Sequence, residues 1–164
     1  MKESTGFLFG RDTLQEARQA VQEDCEKGIK CPCCDQFVKM YKRKLNSGMA
    51  LTLIRIYRYA PFGWIHVKNF LREHKYRDNQ DWTRMANWGL IKERAGKPEH
   101  GGKTYGEWRL TEKGRQFARN EISVPKRILL YNNRFLGFDD ETTTIVESLG
   151  NHFNYRELMG THKL

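Results

Sequence analysis

The stretch from Trp82 to Asn120 constrains the fold of this chain more than any other part of the sequence. An amphipathic segment ends at Gly89 and is followed by a short strand-like run at 90–94. A polar loop rich in Gly and Lys then leads to a second strand-like run at 105–110, and Thr111 has a residue type that caps helices. Two strands joined by a polar tip and placed between two helices predict an antiparallel hairpin.

Two steps in this stretch resemble the winged-helix domains of bacterial transcription regulators. The step NWGLI at 87–91 is similar to the end of the family's helix before the wing, and the step WRLTEKG at 108–114 is similar to the start of the helix after it. The resemblance covers about residues 47–121. It implies a winged helix-turn-helix core, with a short first strand at 64–67, that binds duplex DNA. A minority of such domains bind only protein.

The resemblance also indicates which side chains contact DNA. It places the helix at about 79–88 in the major groove, where Asn and Gln can pair with adenine and Arg with guanine. Cations on the preceding helix and on the wing would contact the phosphate backbone. The expected DNA-contacting residues are Lys68, Arg72, Lys75, Arg77, Asn79, Gln80, Thr83, Arg84, Arg94, Lys97 and Lys103.

The charge of the chain favours a polyanionic partner. Its 29 Lys and Arg residues against 20 Asp and Glu residues give a formal charge of +9 and a pI near 9.5. The alternative is a basic surface without a nucleic-acid role. Asp78 and Asp81 oppose DNA binding, because carboxylates repel phosphates unless they cap the helix or accept a hydrogen bond from cytosine.

The four cysteines lie close together in the sequence and include one C-P-x-C step. A structural zinc ion requires four ligands, and one such step supplies only two thiolates. His66, His74 or a second chain could complete the site, and plain reduced thiols are the alternative. The expected ligands of a structural zinc ion are Cys25, Cys31, Cys33 and Cys34.

Other classes of protein are disfavoured. No apolar run approaches the roughly 20 residues of a membrane span, and the first residues do not form a signal peptide, so we expect a cytoplasmic protein without a membrane partner. The sequence contains no phosphate-binding loop, no H-E-x-x-H step and no G-x-S-x-G step, so we do not expect an enzyme.

The expected fold class is α+β and mainly helical. We expect a helical arm with a cysteine-rich loop at 1–46, the winged-helix domain at 47–121 and a small ββα extension at 122–164. Helices are predicted at 13–27 and 36–46, from Ser47 to before Pro61, at 67–75, 79–88 and 111–121, and over two short segments carrying Ile145 to Leu149 and Tyr155 to Met159. A hairpin is predicted at 127–138 on the turn Asn132-Asn133.

The sequence therefore predicts a DNA-binding protein that acts as a transcription regulator, with a homodimer among the partners considered. The rival interpretation is a winged-helix protein-interaction module, or an RNA-binding accessory protein, within a phage or bacterial assembly.

Overall fold

The computed structural model describes residues 13–97, 99, 101 and 105–160, and it shows an α+β protein in which helices alternate with small sheets. The α-helices are α1 (Leu14–Asp24), α2 (Ser47–Tyr59), α3 (Val67–Glu73), α4 (Glu112–Ala118), α5 (Ile145–Leu149) and α6 (Tyr155–Gly160). Two further helical segments have 3₁₀ geometry, at Asp81–Trp88 and Gly150–His152. None of the helices in the described ranges combines the length and the apolar character needed to cross a membrane.

The strands are short and pair in several small sheets. They are β1 (Ile29–Lys30), β2 (Phe37–Val38), β3 (Tyr41–Lys44), β4 (Ile91–Glu93), β5 (Trp108–Leu110), β6 (Val124–Pro125), β7 (Arg127–Tyr131), β8 (Arg134–Phe138) and β9 (Thr142–Thr143). β1 pairs with β2, β4 with β5 and β6 with β9, each in antiparallel fashion. The strands β3, β7 and β8 form one three-stranded sheet in that order.

The chain contacts divide the protein into two units. The first unit contains the chain up to Arg43 together with Leu129–Gly137, and the second contains Lys44–Ile128 together with the chain from Phe138 onwards. This grouping cuts across the three consecutive segments that the sequence predicts. The predicted C-terminal hairpin lies mostly in the first unit, whereas the helices after it lie in the second.

The first unit begins with α1, whose start is set by a capping box. The Thr13 side chain accepts a hydrogen bond from the Glu16 N–H, and the Glu16 carboxylate accepts one from the Thr13 N–H in return. The hairpin turn between β7 and β8 places Asn132 and Asn133 at φ values of 47° and 60°. Asparagine tolerates this left-handed region, so the predicted two-residue turn is confirmed.

The helix predicted at 36–46 is wrong. This segment contains β2 and β3, and all four residues of β3 are exposed. Phe37, Val38 and Tyr41 fit a helical spacing, but they also have high strand propensity. Pairing of β2 with the nearby β1 and of β3 with the distant β7 decides in favour of strands.

The second unit is built around α2, whose middle turns are buried. Its side chains from Met49 to Ile54 are at most 8% exposed. Asn46 caps its first turn by accepting the Met49 N–H at 2.9 Å. The helix packs against the 3₁₀ helix Asp81–Trp88, α4, α5 and α6. α2 is therefore the central element of this unit's core.

The predicted hairpin of the second unit is confirmed. β4 and β5 pair with the register Ile91 to Leu110 and Glu93 to Trp108. The short first strand predicted at 64–67 is limited to one bridge, in which Ile65 pairs with Trp108. The hairpin therefore has a third, minimal partner on the β5 side.

Candidate nucleic-acid interface and cysteine site

The segment Asp81–Trp88, predicted as part of an α-helix at 79–88, forms a 3₁₀ helix that has the same amphipathic character. Its apolar side chains Trp82, Met85 and Trp88 are 2% exposed or less, and the Trp88 Nε1–H donates to the Pro125 carbonyl at 2.6 Å. The helix is bounded by Gln80 at φ 55° and by Gly89 at φ 69°. Burial of one face leaves the polar residues between the tryptophans on the other face.

The two steps that carry the family resemblance contact each other directly. The Thr111 hydroxyl donates to the Gly89 carbonyl at 2.6 Å, and the Lys113 ammonium donates to the Trp88 carbonyl at 2.9 Å. A Cβ atom added to Gly114 would overlap the carbonyl oxygen of Leu90. The start of α4 therefore satisfies the orphan carbonyls at the end of the 3₁₀ helix, and it needs a glycine to approach them.

The acidic residues near this helix are occupied by local partners. The Asp78 carboxylate accepts the Gln80 N–H at 2.9 Å and the Trp82 Nε1–H at 3.2 Å. Asp81 lies 3.5 Å from the Arg84 guanidinium. Asp78 therefore closes a turn directly before the helix, and Asp81 lowers the charge that Arg84 presents to a ligand.

The other residues expected on the recognition helix have different surroundings. The Thr83 hydroxyl donates to the Gln80 carbonyl at 3.1 Å, so its proton is already used. The Asn79 side chain lies against Gly48 in the first turn of α2. A Cβ atom added to Gly48 would overlap the side-chain nitrogen of Asn79. Gln80 is exposed. Thr83 is therefore bonded to Gln80, whereas Asn79 faces α2, and their expected role in base reading stays a prediction.

The cations expected on the preceding segment are exposed. Lys68 and Arg72 are on α3, and Arg72 donates to Asn69 at 3.0 Å. Lys75, at φ 55°, and Arg77 follow the helix and are also exposed. All four can therefore contact a backbone phosphate without first losing a buried contact.

The hairpin supplies two of its three expected contact residues within the described ranges. Arg94 is held by the Glu107 carboxylate at 2.6 Å and lies 4.3 Å above the centre of the Tyr105 ring. The hydrogen bond that Arg94 donates to the Glu107 carboxylate raises the pKa of Arg94. Lys97 is exposed near the tip, and Lys103 lies outside the described residues.

Sequence reasoning missed the cations on the solvent-facing side of the hairpin. Lys92 and Arg109 are opposite each other in the ladder, on the face away from the buried pair Ile91 and Leu110. Arg109 also lies 4.7 Å above the centre of the Trp64 ring. The alternation of apolar and basic residues in each strand could have placed both cations on the solvent-facing side, but their direct juxtaposition depends on the register.

A cleft of about 340 Å³ opens beside these two cations. Its polar lining includes Thr111, Glu112 and Arg115. Phe62 contributes an aromatic wall that is 72% exposed, and Arg115 lies 4.7 Å above the centre of that ring. Glu112 is paired with Arg115 at 2.7 Å, which offsets its negative charge.

The cysteine loop of the first unit is closed by the hairpin of β1 and β2. The Cys31 N–H donates to the Gln36 carbonyl at 2.8 Å, and the Asp35 N–H donates to the Cys31 carbonyl at 2.9 Å, with Asp35 at φ 57°. Hydrogen bonds from the backbone N–H groups of Cys33 and Cys34 lower the pKa of the Cys31 thiol. Partial desolvation and the neighbouring Cys31 sulfur raise the pKa of Cys33.

The cysteines expected to bind zinc are only partly gathered. Cys25, Cys31 and Cys33 line one cavity of about 460 Å³ with apolar side chains of α1 and β8, whereas Cys34 does not line it. Across the described ranges, no group of three or more His, Cys, Asp or Glu side chains is arranged to hold a metal ion. The four-cysteine site therefore stays a prediction.

Comparison of the sequence with protein-family models and with curated proteins found no match, and comparison of the structure with solved structures found none.

Proposed function

We propose that the second unit is a winged helix-turn-helix domain and that the protein binds duplex DNA with it, as a transcription regulator. The observation that supports this proposal is the order of elements: α2, the Ile65 bridge, α3, the 3₁₀ helix and the β4–β5 hairpin, with Ile65 paired to Trp108. In this arrangement the 3₁₀ helix takes the place of the recognition helix.

The charges beside this helix favour a phosphate backbone as the partner. Lys68, Arg72, Lys75 and Arg77 are exposed before it, and Lys97 is exposed after it. Such cations position a domain on DNA, whereas Gln80 and Arg84 would read base edges. Since Asp81 holds Arg84, base reading requires Arg84 to exchange this carboxylate for a guanine.

Fluorescence anisotropy with a labelled random-sequence duplex tests the proposal at about 50 and 200 mM salt, between which phosphate-mediated binding weakens steeply. Lys97→Gln should weaken binding to every sequence and reduce the salt slope by about one, because it removes one phosphate contact. Arg84→Ala should instead change the preference among duplexes.

The matched control is Lys27→Gln, which removes the same charge from an exposed site in the first unit. If Lys97→Gln and Arg84→Ala bind all duplexes as the control does, the proposed groove assignment is wrong. The rival proposal, a protein-interaction module, predicts that both variants bind duplexes as the control does. The observation that favours this rival is the ion pair between Arg84 and Asp81.

We also propose that the first unit holds a structural zinc ion through Cys31 and Cys34, with Cys25, Cys33 or a second chain completing the site. The support is the closed loop, in which the Cys31 N–H donates to the Gln36 carbonyl, together with the cavity that Cys25, Cys31 and Cys33 line. A metal would bind these cysteines as thiolates. Elemental analysis of protein purified without chelator should find roughly half to one zinc ion per chain. Metal-free protein whose four thiols all react freely in the native state would contradict this proposal.

A further inference from the structure

The solvent-facing side of the β4–β5 hairpin, together with the segment after α2 and the first turn of α4, carries cations that lie over aromatic rings. We call this surface the outer face and define it by Phe62, Trp64, Lys92, Arg94, Tyr105, Arg109 and Arg115. Arg94, Arg109 and Arg115 each lie over one ring, Tyr105, Trp64 and Phe62 respectively, at 4.3 to 4.7 Å from its centre. The outer face is separate from the residues expected on the 3₁₀ helix.

The cations at the centre of this face are available to a ligand. Across residues 13–97 and 105–160, neither Lys92 nor Arg109 lies within ion-pair distance of a carboxylate, whereas Arg94 and Arg115 are held by Glu107 and Glu112. Lys92 and Arg109 are direct partners in the ladder, so their charges add at one place. Two adjacent unpaired cations favour a phosphate group there.

The aromatic wall beside the cations has the character of a base-stacking site. Phe62 is 72% exposed and follows Pro61, whose carbonyl accepts a hydrogen bond from Arg115 at 3.3 Å. This bond and the Arg115 guanidinium over the ring position Phe62 at the edge of the 340 Å³ cleft. That volume is at the lower end of the range of about 300–1,000 Å³ that small-molecule sites occupy.

We propose that the outer face binds a single-stranded nucleic acid, with one base stacked on Phe62 and its phosphate held between Lys92 and Arg109. Non-specific single-strand sites combine these two components, a basic groove and exposed rings. Paired bases inside a duplex cannot stack on Phe62, so this contact is selective for unpaired strands. The inference does not depend on duplex binding by the 3₁₀ helix.

The test measures the affinity of the full chain for labelled single strands of about 12 nucleotides, as DNA and as RNA of the same sequence, and for a duplex. Phe62→Ala should lower single-strand affinity by about 5- to 150-fold and leave duplex affinity unchanged. Phe62→Trp should retain binding, because it keeps a stacking ring. Lys92→Gln combined with Arg109→Gln should weaken single-strand binding and reduce its salt slope.

Two controls keep the outcomes distinct. Phe153→Ala removes another exposed phenylalanine of the second unit and should bind single strands like the wild type. Thr83→Ala combined with Arg84→Ala should affect only the duplex, so failure of the duplex proposal is seen separately. Absence of single-strand binding, wild-type affinity for Phe62→Ala, or an equal loss of single-strand and duplex affinity would each overturn the inference. A difference between the DNA and RNA arms identifies the preferred strand.

Discussion

Single residues decide how closely the elements of the second unit approach each other, and Gly114 is the clearest case. It lies in the first turn of α4, against the backbone carbonyl of Leu90, where no side chain fits. The Leu90 carbonyl is part of the backbone, so it cannot rotate away as the end of a flexible side chain could. The glycine of the LTEKG step therefore has a packing role as well as a place in a motif.

Gly114→Ala should lower the free energy of unfolding by about 1–3 kcal/mol, because the added methyl group forces the hairpin and α4 apart. This change in stability is the net result, after the gain of up to about 1 kcal/mol that alanine brings to a helix relative to glycine. Denaturant unfolding followed by circular dichroism measures the change. Gly160→Ala is the matched control, since a Cβ there has open space, and it should not destabilise the protein. Equal stabilities of the two variants would contradict the close approach.

Residue-level prediction from the sequence succeeded where the side chain itself determines the outcome. The segment before Gly89 was predicted to be amphipathic, and its apolar side chains Trp82 and Trp88 are buried. Lys92 and Arg109 were missed because their juxtaposition depends on strand register, which no single residue encodes. The pairing of Arg84 with Asp81 also depends on the local helix geometry.

At the scale of elements, short helices depend on their caps. α5 has only five residues and begins with a capping box, in which the Thr144 hydroxyl accepts the Glu147 N–H and the Glu147 carboxylate accepts the Thr144 N–H at 2.7 Å. This backbone hydrogen bond is the main reason that the pKa of Glu147 is lowered from its ordinary value of 4.5. The ionised carboxylate therefore contributes to stability.

Glu147→Gln should be less stable than the wild type at neutral pH, and the difference should shrink as the pH falls. A carboxyl whose pKa is lowered in the folded state stabilises above its unfolded pKa and loses that contribution as pH falls through its folded pKa. Thermal unfolding from pH 7 to about pH 3 measures both proteins. Thr144→Ser keeps the hydroxyl and should retain the wild-type pH dependence. A stability difference that does not vary with pH would exclude this role.

The hairpin of β7 and β8 is an element whose turn residues were correctly predicted. Asn133→Val should destabilise the protein by about 1–2 kcal/mol, because a β-branched residue is strained in the left-handed region that Asn133 adopts. Asn133→Gly should be neutral or stabilising. Melting temperatures compare the two variants, and a stable Asn133→Val protein would contradict this turn geometry.

Element prediction failed where distant partners determine the structure. The segment of β2 and β3 has a spacing compatible with a helix, but β2 pairs with the preceding strand β1 and β3 pairs with the distant strand β7. Local periodicity does not contain this information. The helices α1, α2 and α4 were predicted, and the caps that the structure gives them, Thr13, Asn46 and Thr111, lie directly before them in the sequence.

At the scale of the whole molecule, the second unit depends on residues far along the chain. Ile145 and Leu149 of α5 are at most 1% exposed, and α5 packs against α2. From α6, the Tyr155 hydroxyl donates to the Ala118 carbonyl at 2.9 Å, and the Leu158 carbonyl accepts from Arg58 at 2.7 Å. The core of this unit is therefore incomplete at the end of the segment 47–121.

A fragment of residues 44–121 should unfold less cooperatively and at a lower temperature than a fragment of residues 44–164. The shorter fragment loses the apolar surface that α5 covers on α2, and burial of that surface is the main stabilising contribution. Calorimetry of both fragments measures the difference. Equal melting temperatures and enthalpies would show that α5 and α6 contribute nothing to the fold of this unit.

The division of the chain between its units has a consequence for synthesis on the ribosome. The part of the first unit that precedes Lys44 lacks its later segment, Leu129–Gly137, until the whole of Lys44–Ile128 has been translated. At roughly 5–20 residues per second, this interval lasts roughly 4–17 s. The second unit in turn waits for α5, which is translated later still. Neither unit is complete while most of the chain is being made, so we expect folding to follow translation rather than to accompany it.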